Sequence, residues 1–258
     1  MAKKLKEWFD WELAKLLAEK IQDSSPRFDS NSFISEIKQK SRELELKDRV
    51  ELIADTLNRY LSGSYSAKLK LLISILGPEN PNETGMFTEW YWVMPIAKFV
   101  EKYGLEHPDE SIDAIGEITK RNTGEYAIRP FLEMHQTKTL REMRKWSKSP
   151  NVHLRRLASE GIRIKLPWAK KLEMFAEDPA PIIKIIENLK DDDSKFVQKS
   201  VANSLNDILK VNRHCAEEII EEWATNPTNS RKWIIKHALR NLRKKDDKWA
   251  AGIMGKIA

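Results

Sequence analysis

A chain of 258 residues that is 41% hydrophobic and 33% charged buries a core and is not disordered. Nine Gly and 11 Pro are too few for the turns of an all-β fold, and no run approaches the roughly 18 apolar residues of a membrane span. A single cysteine, Cys215, excludes an internal disulfide framework and a cysteine-based zinc cluster. With no apolar signal core after the basic N-terminus, the expected compartment is the cytoplasm.

Taken in chain order, residues 3–22 predict an amphipathic helix with Leu5, Trp8, Phe9, Leu13 and Leu16 on one side. Another helix is expected after Phe33, and more over 45–61 and 66–76. GPENPNETGMFT (77–88) reads as a loop. Trp90-Tyr91-Trp92 then enters an apolar helix that ends near Tyr103-Gly104, where the glycine suits a C-cap. Trp8, Trp11, Trp146, Trp223, Trp233 and Trp249 are expected to be core or packing residues, and Cys215 a small buried hydrophobe.

The second half repeats itself. Leu154, Leu157, Ala158 and Gly161 form one apolar stripe, Val197, Val201, Leu205 and Ile208 another, and Ile235, Ala238, Leu239 and Leu242 a third. Ala158, Ala202 and Ala238 are 44 and 36 residues apart, which brackets the roughly 40–47 residues of a HEAT or armadillo unit. Helix pairs of that size bury their apolar faces only by stacking. The fold class expected is therefore all-α: a HEAT-like repeat solenoid with a concave face. No domain boundary is visible, and residues 1–258 read as one array.

The net charge is +6, unevenly spread. Residues 115–172 hold 14 Lys or Arg against 5 Asp or Glu, a local balance of +9 that leaves the rest near −3. A second basic run contains Arg240, Arg243, Lys244 and Lys245. Concentrated basic charge suits phosphate, so nucleic acid is the expected partner, with an acidic protein as the alternative.

No P-loop, dinucleotide fingerprint or zinc-protease motif is present. What stands out is a set of acids within the basic half. Glu160 follows Arg156 by four residues and precedes Arg163 by three, on one polar face. Asp207 shares a face with Asn203. Glu125 lies between Arg121 and Arg129, near a helix start that Thr123 can cap. Singly, each reads as a surface ion pair of little energetic weight. Together they suggest stabilisation of positive charge on a deoxyribose as its base departs.

Four runs in order carry a family resemblance: TKRNTGEYAIRPF (119–131), RRLASEGIRIKLPWA (155–169), Asp178-Pro179 and SVANSLNDILK (200–210), with FTEWYWVMPIAKFVEKYGL (87–105) in support. They resemble the AlkC-type bacterial DNA alkylation-repair glycosylases, part of a HEAT-like superfamily that also includes AlkD. The resemblance implies a monofunctional glycosylase that excises N3-alkylated bases, chiefly 3-methyladenine, from double-stranded DNA without metal, cofactor or lyase chemistry. It places the catalytic acids at Glu125, Glu160 and Asp207, and the aromatic beside the lesion at Trp168. Arg156 and Arg163 fall on basic residues of the DNA cleft, and Arg155, Lys165, Arg129 and Lys199 complete the expected DNA contacts. Gln198 stands where the family more often has Arg, which weakens one presumed phosphate contact and leaves the acids untouched. A monomer is expected, without the C-terminal immunoglobulin-like domain of some relatives. The resemblance implies that the nucleotide stays stacked and its sugar is approached from outside, where most glycosylases flip the base into a pocket. The competing readings are a noncatalytic HEAT scaffold that binds DNA or protein, and an AlkD-like preference for bulky or 7-alkyl purines.

Overall fold

The computed structural model describes residues 3–258, and all regular structure among them is helical. The residues group into two compact units, one running up to Met134 and one from His135 to Ala258.

The first unit contains α1 (Trp11–Ser24), α2 (Ser30–Lys40), α3 (Leu46–Tyr60), α4 (Tyr65–Ser74), α5 (Met94–Tyr103), α6 (Pro108–Thr119) and α7 (Ile128–Met134). The helix expected over 3–22 is broken. A 3-10 turn spans Leu5–Trp8, and Asp10 then caps α1 by accepting from the Glu12 N–H at 2.8 Å. Apolar periodicity runs through this break because Phe9, wholly buried, packs edge-on to Tyr91. Likewise α2 begins ahead of Phe33, where Asp29 accepts from the Ser32 N–H. Trp11 is exposed, not core, and the Lys38 ammonium lies 5.2 Å from its ring centre.

The loop after Gly77 is pinned from α6 onward. Arg121 donates twice to the Gly77 carbonyl, and the Asn122 amide donates to the carbonyls of Met86 and Trp90. Gly104 does cap α5, but with φ −95° it is not left-handed. Its need is space: a Cβ there would stand 2.5 Å from both the Ser111 and Tyr65 hydroxyls.

The second unit contains α8 (Gln136–Trp146), α9 (Val152–Glu160), α10 (Glu173–Glu177), α11 (Ala180–Ile186), α12 (Lys195–Val211), α13 (Arg213–Trp223), α14 (Asn229–Ala238), α15 (Arg240–Arg243) and α16 (Lys248–Lys256). Three successive pairs, α8–α9, α11–α12 and α13–α14, place their second helices side by side: α9 packs on α12 and α12 on α14. The three predicted stripes supply these contacts, and Ala158, Ala202 and Ala238 are wholly buried. Small residues at each crossing let the backbones approach. Leu242 alone of the third stripe is half-exposed. Trp146 and Trp223 belong to the core as expected, whereas Trp8, Trp233 and Trp249 are half-buried. Cys215 is half-buried and its thiol pKa is raised by burial.

Between α9 and α10 the chain makes a loop anchored by buried Leu166 and Leu172, the latter's N–H donating to the Ile164 carbonyl. At its tip Trp168 is 57% exposed with φ +65°. The other non-glycine residues at positive φ are Asn226 and Asp246, types that accept that conformation readily. A bulky ring held there costs about 1–2 kcal/mol. Trp168→Gly is therefore expected to be more stable than Trp168→Ala by about 1 kcal/mol, the reverse of the usual order in regular structure. Paired thermal melts of the two variants check this, and an Ala variant at least as stable refutes the strained backbone.

Candidate functional site

Glu160 is the last residue of α9, a helix opened by Asn151, whose side chain accepts from the N–H groups of His153 and Leu154. Asp207 lies on α12, the helix that packs against α9. Arg163, just past the end of α9, joins them. Its Nη1 donates to Glu160 Oε1 at 2.7 Å and its Nε to Asp207 Oδ2 at 3.0 Å. The side chains of Arg163, Glu160 and Asp207 are only 9%, 8% and 4% exposed. The Lys165 N–H lies 3.4 Å from Asp207 Oδ2, and exposed Lys210 stands 3.8 Å from Oδ1.

The two acids respond oppositely to this setting. Burial works to raise the Glu160 pKa, but Arg156, Arg163 and a hydrogen bond from Ser200 outweigh it and hold the carboxyl below the usual range. Burial also raises Asp207, and there Arg163, Lys210 and the Lys165 amide do not compensate, so its pKa lies above the ordinary value. Arg163 stays firmly protonated; burial opposes its charge, and both carboxylates more than restore it. One buried side of the cluster is lined with hydroxyls. Ser159 donates to Ser200 Oγ at 2.6 Å, and Ser204 donates to the Ser159 carbonyl at 3.1 Å.

The remaining candidates in this unit divide by role. Arg156 is half-buried with its guanidinium 4.6 Å above the Phe196 ring. Lys165 and Lys199 are exposed. Arg155 is a brace: it donates to both Asp192 carboxylate oxygens at 2.6 and 3.3 Å and to the carbonyls of Ser149 and Pro150. Gln198, which stands where the family more often has Arg, faces inward. Its side chain is buried and donates to the Asp192 carbonyl at 2.6 Å and to Ser230 Oγ at 3.1 Å, tying α12 to α14. Sequence reading also missed the contacts of Asn203, which accepts from Arg240 Nη2 at 2.9 Å, and of Asn206, whose amide donates to the Ala238 carbonyl at 2.7 Å. Asparagines one and four residues before Asp207 were the available signal.

In the other unit, Glu125 and Arg129 are buried. Thr123 Oγ1 donates to Glu125 Oε2 at 2.9 Å and accepts from the Glu125 N–H at 3.3 Å, which fixes the carboxylate ahead of α7. Gly124 permits this, because a Cβ would stand 2.5 Å from Ile115 Cγ2. Several charges of the basic segment are thus engaged internally, Arg121, Arg155 and Arg163 among them, while Arg141, Arg144, Lys145, Lys148, Lys165 and Lys170 are exposed. Among the described residues no cluster of three or more His, Cys, Asp or Glu is arranged to hold a metal ion.

The sequence profile of the DNA alkylation repair enzyme family matches residues 122–242, a span that includes Glu125, Glu160, Arg163, Trp168 and Asp207. The chain is 38% identical over 253 residues to YhaZ, an uncharacterized protein of Bacillus subtilis strain 168, covering 97% of this chain and 68% of that one. Its fold superposes on the alkylpurine DNA glycosylase AlkC of Pseudomonas fluorescens, solved bound to DNA containing an abasic site analog. That match has a TM-score of 0.88 and 33% identity over 98% of this chain and 69% of that one. AlkD2 of Streptococcus mutans, at a TM-score of 0.56 and 23% identity over 85% of this chain and 98% of its own, shares the fold. By sequence and by fold, then, this chain belongs to the DNA alkylation repair enzyme family, and within it to the AlkC type.

Proposed function

We propose that this protein is an alkylpurine DNA glycosylase that removes N3-alkylated bases, chiefly 3-methyladenine, from duplex DNA, acting as a monomer. One observation carries the reading: two buried carboxylates on neighbouring repeats share a single guanidinium, and their proton affinities are pushed apart. Family membership and the likeness to AlkC support it.

An adenine alkylated at N3 is cationic, so the electrons of the C1′–N bond pass onto the base and it departs neutral without protonation. The sugar becomes oxocarbenium-like, and the protein's task is to stabilise that charge and deliver water. Glu160, kept ionised, supplies the field. A carboxylate ~4 Å from the developing charge at an effective dielectric of ~20 contributes on the order of 4 kcal/mol, about a thousandfold in rate. Asp207, with the higher proton affinity of the two, accepts the proton of the attacking water as its oxygen bonds to C1′. Arg163 is assigned the role of organising both acids, in place of a phosphate contact. Glu125 is proposed as a further stabilising acid on its burial and its fixed rotamer. Trp168 is proposed to lie against the lesion nucleotide, with Arg156 and Lys165 on neighbouring phosphates.

Glu160→Gln, Asp207→Asn and Glu125→Gln are each expected to slow single-turnover base release by ~10²–10³ while duplex binding changes only a few-fold. Methylated DNA with chromatography of the released bases is the assay. Wild-type rates in all three variants remove the acids from the reaction, and no release by the wild-type protein leaves the scaffold reading.

The pH profile follows from Asp207. As a base it works only when ionised, and its pKa is raised. The rate should therefore fall on acidification through a pKa above the ordinary aspartate range, and this limb should be missing from the residual activity of Asp207→Asn. An identical limb in that variant transfers the base role elsewhere.

Neutral lesions separate this chemistry from leaving-group protonation. Uracil and hypoxanthine have glycosidic bonds that need such help, so matched duplexes should release 3-methyladenine and leave them in place. Efficient uracil release contradicts the mechanism.

A further inference from the structure

Beyond the acid cluster, the polar faces of α12 and α14 form a basic strip. Along α12, Lys195, Lys199, Asn203 and Asp207 recur every fourth residue, with Lys210 a turn further on. On α14, Trp233 and His237 stack with centroids 4.9 Å apart and planes 7° from parallel, and the Lys195 ammonium lies 4.7 Å from the Trp233 ring centre. Arg240 follows, clamped by donating Nη2 to Asn203 Oδ1 at 2.9 Å and Nη1 to the His237 carbonyl at 2.7 Å.

Both of those acceptors are uncharged. Partial burial and the Arg163 guanidinium lower the Arg240 pKa even though Asp207 pulls the other way. Burial, Arg240 and Lys199 likewise lower the His237 pKa, a sign of the positive field along the strip. Lys199 and Arg243 are exposed, and neither makes an ion pair among the described residues. Arg243 lies three residues after Arg240, on the same helical side. Lys199 is two turns from Asp207, about 12 Å along the axis.

We propose that Arg240 and Arg243, together with the already expected contact Lys199, bind phosphates of one DNA strand and carry its backbone along the α12–α14 strip past Asp207. The inference rests on the duplex-DNA reading above. The clamped guanidinium is organised before binding, its charge has no carboxylate in contact, and a phosphodiester supplies the missing anion. Contacts of this kind position the duplex without reading its sequence.

The test is the salt dependence of binding to an undamaged, fluorescently labelled duplex. Lys199→Glu, Arg240→Gln and Arg243→Ala are compared with wild type and with Lys15→Ala on α1. Each lost contact should flatten the slope of log K against log salt by about 0.9, with affinity falling several-fold or more at ~0.1 M salt. Lys15→Ala should keep the wild-type slope. Wild-type slopes in all three variants overturn the strip while leaving the DNA reading intact, whereas a wild-type protein that does not bind duplex DNA overturns both. Gln at 240 retains an amide donor for Asn203; if that variant still fails to fold, the exposed positions 199 and 243 decide the outcome.

Discussion

A guanidinium buried between two carboxylates is the constraint around which the second unit is arranged. Taking such ions out of water costs several kcal/mol each, and removing one partner from a buried pair costs about 3–5 kcal/mol because the other charge is stranded. Arg163 therefore has to reach Glu160 and Asp207 at once, which fixes the end of α9 against the flank of α12. Two negative charges facing one positive charge leave the trio short of neutral. Burial raises the proton affinity of both acids; at Glu160 the added charge of Arg156 and the hydrogen bond from Ser200 help Arg163 outweigh it, whereas at Asp207 burial prevails over Arg163 and Lys210. The unlike chemistry of two similar side chains is a result of that unequal compensation.

The same economy of charge explains why adjacent arginines behave differently. Arg155 points back to the turn and closes it by gripping Asp192, whereas Arg156 lies over Phe196 and projects its field toward Glu160. One sequence step on a helix rotates a side chain by about 100°, enough to separate an arginine that faces the acid cluster from one that braces a loop.

Features that depend on spacing along one helix were legible from the sequence alone. The stripes through Ala158, Ala202 and Ala238 follow from i, i+3, i+4 recurrence, and all three alanines are buried where the helices of successive pairs meet. Boundaries were less legible where an apolar residue continues the pattern across a cap, as Phe9 does before Asp10. The AlkC-type family could be read from the motifs around the acids, yet the motifs carry no sign that Arg163 faces inward or that Gln198 ties two helices together. Those partners lie 44 and 32 residues away, and only folding brings them into reach. Trp168 shows the opposite gap: its type was visible, its left-handed backbone was not.

The serine seam between α9 and α12 meets the acid cluster at one hydroxyl, that of Ser200. Hydroxyls at Ser159, Ser200 and Ser204 interlock where alanine or valine would repack the interface. Ser200 also donates to Glu160, so the seam is in register with the acid. A hydroxyl seam acts as a calibrated spacer: one added methyl group would splay the two helices, and one lost oxygen would leave a polar atom stranded. Arg163 and the three serines thus hold the end of α9 against α12 together, the one through charge and the others through size.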